Sequence, residues 1–228
     1  MKVLLLFLAL LVPALPGLAQ GTFIRYLVQS ADQGEAESQF VLGLAHRDGW
    51  DGTIKTGSIA AKWCELAHEL GDQRPALVLG LLLKAGDQIS KDEPKAIKLL
   101  KLAAAQGDNY ARVILGDMLL EGDGVVADWS SGAELIKKSA IAGFAPAQFR
   151  LGLIYLVGDK TTPRNDVESL AWFIVAAEAG SKPAAEYRDE RTELLGTEVA
   201  RLAIKRSREL LTKNEKKKNS SSDFALID

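Results

Sequence analysis

Thirteen of the twenty glycines in this 228-residue chain fall on one ruler. Gly34, Gly71, Gly107, Gly143 and Gly180 stand 37, 36, 36 and 37 residues apart. Nine residues after each of the first four comes a second glycine (Gly43, Gly80, Gly116, Gly152), always directly after a leucine, and six further on a third (Gly49, Gly86, Gly122, Gly158). Self-similarity at such a period restricts the chain to stacked supersecondary units that share one continuous core.

Each unit contains two segments of helical periodicity, such as 108–121 and 95–106, built from Ala, Leu, Ile, Lys and Glu. These are good helix formers, and strand-like alternation is almost absent, so the unit is helix, loop, helix. The first and third glycines suit the left-handed position that follows a helix C-terminus. The glycines after leucine are different, because they fall inside a helix, where each costs about 1 kcal/mol against alanine. Four in register demand a packing reason, and close approach of a neighbouring helix backbone supplies one. The surrounding positions agree. The fourth residue after each opening glycine is small (Ser38, Pro75, Ala111, Ala147, Ala184), the sixth apolar (Phe40, Leu77, Val113, Phe149), and the second helix carries a large apolar residue (Trp63, Leu99, Leu135, Trp172).

This pattern resembles the Sel-one-like repeat family, relatives of the tetratricopeptide repeats, across roughly residues 22–190. Gly122, Gly124, Val125 and Asp128 stand where that family's loop has them, and Ala147, Gln148, Leu151, Gly152, Tyr155 and Trp172 keep its register. The loops HRDGWDGTIKTG and GDQISKDEPKAI depart from it. The resemblance implies an all-α fold, a right-handed α-solenoid of about four repeats (34–70, 71–106, 107–142, 143–179) between helical caps at 20–33 and 181–212.

The ends carry separate signals. Residues 1–19 combine Lys2, an apolar run, prolines and small residues at Gly17 and Ala19, which reads as a signal peptide cleaved near Ala19. The alternative is a membrane anchor, although the uncharged run before Pro13 is shorter than the roughly twenty residues a span needs. Cleavage removes one lysine, leaving 27 basic and 30 acidic residues, a net charge of −3 that suggests no nucleic-acid footprint. About 209 residues remain, enough for one elongated domain. Cys64 stands alone, either a buried inert thiol or half of an intermolecular disulfide. The last capping helix should expose Arg201, Lys205, Arg206 and Arg208, and 213–228 should be disordered, ending in a small apolar tag around Phe224.

Chemistry is sparse. No nucleophile elbow, P-loop, H-E-x-x-H or zinc-spaced cysteine pair occurs. His46 and His68 occupy core-register positions, and the clusters Glu35/Glu37, Asp123/Asp128 and Asp189/Glu190 fall at helix starts or loops, where acids favour the dipole or solvent. These readings point to no catalytic residue, metal or cofactor. In a curved helical array the first helices line the concave side. There the outward stripe holds Arg74, Val78, Leu81, Tyr110, Ile114, Asp117, Arg150 and Leu153, more apolar than a wet face should be. Either this stripe binds a protein or peptide partner, or curvature buries it against the next first helix. The resemblance implies a non-catalytic adaptor, as its members serve in envelope assembly, export and signalling. The alternative is a cell-wall or glycan-binding protein, or a wall-related hydrolase, with Trp50 and Trp129, in the helix-joining loops, as the candidates for a glycan site.

Overall fold

A computed structural model describes residues 21–86 and 88–222, with side chains through 212. The leader and the apolar tag therefore lie outside the described residues. Ten helices and no strands occur among the described residues. They are α1 (Thr22–Asp32), α2 (Ala36–Asp48), α3 (Gly57–Glu69), α4 (Pro75–Ala85), α5 (Glu93–Ala105), α6 (Asn109–Glu121), α7 (Trp129–Ile141), α8 (Ala145–Val157), α9 (Asp166–Glu178) and α10 (Lys182–Ser222). They divide into two compact units, one ending at Asp92 and one beginning at Glu93. The division falls in the second repeat's GDQISKDEPKAI segment.

The glycine ruler marks the helix ends. All five opening glycines have positive φ, from 82° at Gly34 to 97° at Gly107. A Cβ is penalised there. The next residue then closes a wide turn back into the preceding helix, as Asp108 N–H does onto Ala103 at 3.1 Å. Gly49, Gly86 and Gly122 end α2, α4 and α6 in the same left-handed basin. Side-chain caps start α6, α7 and α9. Asp108 accepts from Ala111 N–H at 2.8 Å, Asp128 from Ser131 N–H at 3.0 Å and Asn165 from Glu168 N–H at 3.0 Å. Each satisfies one N–H that the helix itself leaves orphaned.

The mid-helix glycines are sockets. In the first unit, a Cβ on Gly43 would stand 2.5 Å from Cys64 Sγ and 3.3 Å from the Ala60 carbonyl oxygen. In the second unit, one on Gly116 would meet Ile136 at 2.7 Å and the Gly132 carbonyl oxygen at 3.0 Å, and one on Gly152 would meet the Phe173 ring at 2.6 Å. Cys64, Ile136 and Phe173 are the matching knobs, all completely buried. Gly132 lets the backbones meet from the other side, its own Cβ position lying 2.7 Å from the Gly116 carbonyl. In the last repeat Ser169 uses the closeness differently, donating its hydroxyl to the Gly152 carbonyl at 2.8 Å. Close helix packing thus explains glycines that propensity alone disfavours.

The small fourth-position residues Ser38, Pro75, Ala111, Ala147 and Ala184 are all buried, as their spacing predicts. In the second unit Phe149, Phe173 and Tyr187 form an aromatic cluster with centroids 5.1–5.8 Å apart. α10 breaks at Gly196 (φ 79°, ψ 174°) and resumes. Its backbone stays helical to Ser222, ten residues into the stretch whose composition suggests disorder. Lysine and glutamate at 213 and 215–218 are compatible with helix, which accounts for the extension. Arg206, expected to be exposed, is half-buried, because its guanidinium bonds Glu168 of α9 at 2.6 Å.

Candidate interaction surface

The outward stripe of the first helices is best described unit by unit. In the second unit, Tyr110, Ile114 and Asp117 lie on α6, and Arg150 and Leu153 on α8. Tyr110 is 44% exposed and meets the ring of Phe144 edge-on at 6.4 Å. Ile114 and Leu153 are half-buried. Between them Arg150 reaches back from α8 to α6, its Nη2 2.6 Å and Nε 2.9 Å from one oxygen of Asp117. Glu121 adds a weaker contact at 3.8 Å. Burial pushes the Asp117 carboxyl above its ordinary range, against the pull of Arg150. These two residues, read from sequence as independent lining groups, therefore tie consecutive first helices together.

In the first unit, Arg74 stands just before α4 and stays exposed. Its guanidinium pairs with Asp72 at 2.6 Å, approaches Glu37 at 3.6 Å and sits 5.2 Å above the Phe40 ring of α2. Such a stacked arginine keeps its charge while covering an aromatic face. Leu81 is half-buried. Val78 is not available as lining, because it is 4% exposed. Leu81, Ile114 and Leu153 keep part of their surface.

The remaining candidates are structural. Trp50 donates its indole N–H to the Leu44 carbonyl at 2.9 Å and so anchors the first loop. Trp129 is the first residue of α7 rather than a loop residue, and its indole N–H is buried without a partner. His46 and His68 each place Nδ1 within 3.2 Å of a backbone carbonyl, of Ile54 and Asp72 respectively. Cys64 is buried, and desolvation pushes its thiol up to about 12. No group of three or more metal-ligating side chains comes together among the described residues.

Sequence reasoning missed one recurring device. The fifth residue after an opening glycine reaches back to the preceding second helix. Gln39 donates to the Ala31 carbonyl at 3.1 Å, Arg112 to Ala104 at 3.2 Å and Gln148 to Ala140 at 3.2 Å. A signal existed, since long donors recur there at Gln39, Arg112 and Gln148 beside an alanine at 76. Each of these carbonyls also accepts the N–H of the opening glycine, so the side chain adds a second bond at the joint between the two helices.

An all-helical chain with this period, glycine-capped joints and a core of small residues is an α-helical repeat protein. The Sel1 repeat signature matches residues 36–72, 76–108, 110–144 and 145–181, more than half the chain, so the protein belongs to the Sel1 repeat family. Members of this family are generally protein-interaction scaffolds and typically non-enzymatic. Among solved structures, the chain is similar to c5321, a protective antigen present in uropathogenic Escherichia coli strains that displays an SLR fold. The two share 25% identity over 85% of this chain and 40% of that one, with a TM-score of 0.70. A Sel1 repeat protein from Oxalobacter formigenes shares 29% identity over 75% of this chain and 49% of that one, at a TM-score of 0.63. The chain thus spans less than half the length of either relative. The immunity protein Pa5087 from Pseudomonas aeruginosa, 18% identical over 84% of this chain and 74% of that one with a TM-score of 0.51, shares the fold alone. A comparison with curated proteins finds no match. No helix among the described residues is long and apolar enough to cross a membrane.

Proposed function

We propose that this protein is an exported, non-catalytic scaffold that holds a protein or peptide partner against the outward stripe of its first helices, in cell-envelope assembly or signalling. The observation that carries the reading is the surface of α6 and α8. Tyr110 is 44% exposed there, and Ile114 and Leu153 are half-exposed beside a fixed ion pair, where an unpartnered helix would be polar. A rigid apolar patch next to a preformed charge pair suits a partner that brings its own aliphatic anchor and a polar rim. Family membership and the leader-like composition of residues 1–19 support the same reading. The glycan alternative is weakened at Trp50, whose indole N–H is already committed to Leu44.

The test is crosslinking and capture from the native compartment, comparing wild type with Tyr110→Asp and with Ile114→Asp/Leu153→Asp. Tyr110→Asp alters an exposed position and controls for misfolding of the double variant. Loss of the same abundant partner in both variants, with unchanged melting of Tyr110→Asp, is the expected result. An identical set of partners in all three proteins refutes the assignment of this face.

A further inference from the structure

A second surface lies on α10. A hollow of about 740 Å³ runs along one flank of this helix across the break at Gly196, lined by α10 alone. Its floor is Ala200 and Ile204, the latter 43% exposed. Its rim is Arg201, Lys205 and Arg208, against a single carboxylate, Glu193. Glu198 engages Arg201 at 2.7 Å, whereas Lys205 and Arg208 have no carboxylate partner among the described residues. An apolar floor between two unneutralised cations calls for a short segment with an apolar centre and acidic ends.

The chain carries such a segment at residues 223–228, DFALID, outside the described residues. Phe224, Leu226 and Ile227 supply apolar surface, bracketed by Asp223 and Asp228. Reach decides whose groove it can enter. α10 is helical to Ser222, and at about 1.5 Å per residue that places Ser222 about 21 Å beyond Arg208. Six residues fully extended span only about 20 Å. Reversing direction consumes several of them, so a segment tethered to the helix end stops short of Lys205 in its own chain. We propose that residues 223–228 dock in the α10 hollow of a second copy, which returns the contact with its own segment. Reciprocal exchange of identical surfaces closes a two-fold dimer.

The test is the solution mass of the full chain by light scattering over a dilution series, at low and high salt. Wild type should show twice the chain mass, with a dissociation constant that rises with salt. Lys205→Glu/Arg208→Glu should weaken the dimer by about tenfold or more, and Asp223→Lys/Asp228→Lys likewise. Combining all four changes should restore it, which no loss of folding can imitate. A wild type of single-chain mass throughout overturns the proposal. So does a dimer indifferent to both swaps, which places the interface elsewhere. A synthetic peptide of residues 222–228 that binds a chain remaining single overturns the assignment to a second copy.

Discussion

Replacing Gly116 by alanine sets two known effects against each other. Inside a helix the change should stabilise by about 1 kcal/mol through propensity. The added methyl, however, would stand 2.7 Å from Cγ1 of Ile136, where carbon–carbon contacts are favourable only near about 3.5–4.0 Å. Ile136 is completely buried and cannot swing into solvent. The second obstacle, the Gly132 carbonyl at 3.0 Å, is backbone and moves only if α7 moves. Overpacking a filled core costs about 1–3 kcal/mol, and a backbone obstacle puts this site at the upper end. The net expectation is a loss of about 2 kcal/mol, or about 4–8 °C of melting temperature for a chain of this size. Urea unfolding followed by far-ultraviolet circular dichroism measures it, and Ile136→Ala supplies the control. With Cγ1 removed, the same glycine substitution should become nearly neutral, giving a coupling of about 2 kcal/mol in the double-mutant cycle. A gain of about 1 kcal/mol for Gly116→Ala in the wild-type background would refute the socket argument, since propensity would then be unopposed.

Other expectations follow from single contacts. Cys64, buried with its thiol pushed up to about 12, should resist alkylation in the folded protein and react at once in denaturant. Labelling at equal rates in both states would contradict its place beneath Gly43. Asp117 is held above the ordinary carboxylate range, so the unfolded chain ionises first as pH rises. Its contribution to stability should fall between the ordinary value and the raised one and stay level above, and Asp117→Asn should remove that slope. An unchanged pH–stability profile in Asp117→Asn would sink this expectation. Asp108→Ala removes the cap of α6 and should cost about 1 kcal/mol in equilibrium unfolding, whereas Asp108→Asn should cost little. Ser169→Ala loses the buried bond to Gly152 and should cost about 1 kcal/mol.

Much of the fold was legible because glycine has few reasons to recur. Positive φ at the joints, and close approach of a buried side chain at Gly43, Gly116 and Gly152, penalise any Cβ, so the residue itself discloses the geometry. Asp128 was legible as structural because acids favour helix starts, whereas the cap at Asp108 was not read from the sequence. The candidate surface was legible only in part. Helical angle places Val78 and Ile114 on one stripe, yet Val78 is buried and Ile114 is half-exposed. Burial depends on what the fold brings over each residue, and period carries no record of that. The pairing of Arg150 with Asp117 joins residues 33 apart, nearly one repeat, and needed α6 and α8 side by side before it could be read. Sequence places Trp129 in a helix-joining loop, whereas the Asp128 cap, one residue earlier, makes it the first residue of α7. The break in α10 turns on a lone glycine off the ruler, Gly196, which nothing in the period distinguishes.

The sockets and knobs also limit how such a gene can lengthen or shrink. Gly43 faces a cysteine, Gly116 an isoleucine and Gly152 a phenylalanine, so three joints of one design carry plugs of three sizes. Socket and plug lie 21, 20 and 21 residues apart within a single repeat. Recombination that breaks the chain at the opening glycines moves each matched pair intact, and an added or lost unit inherits a filled joint. A break between socket and plug would pair Gly43 with a phenyl ring or leave Gly152 facing a thiol, one crowded and the other hollow. The crossover points that keep every pair intact are therefore the five opening glycines, where the backbone already restarts.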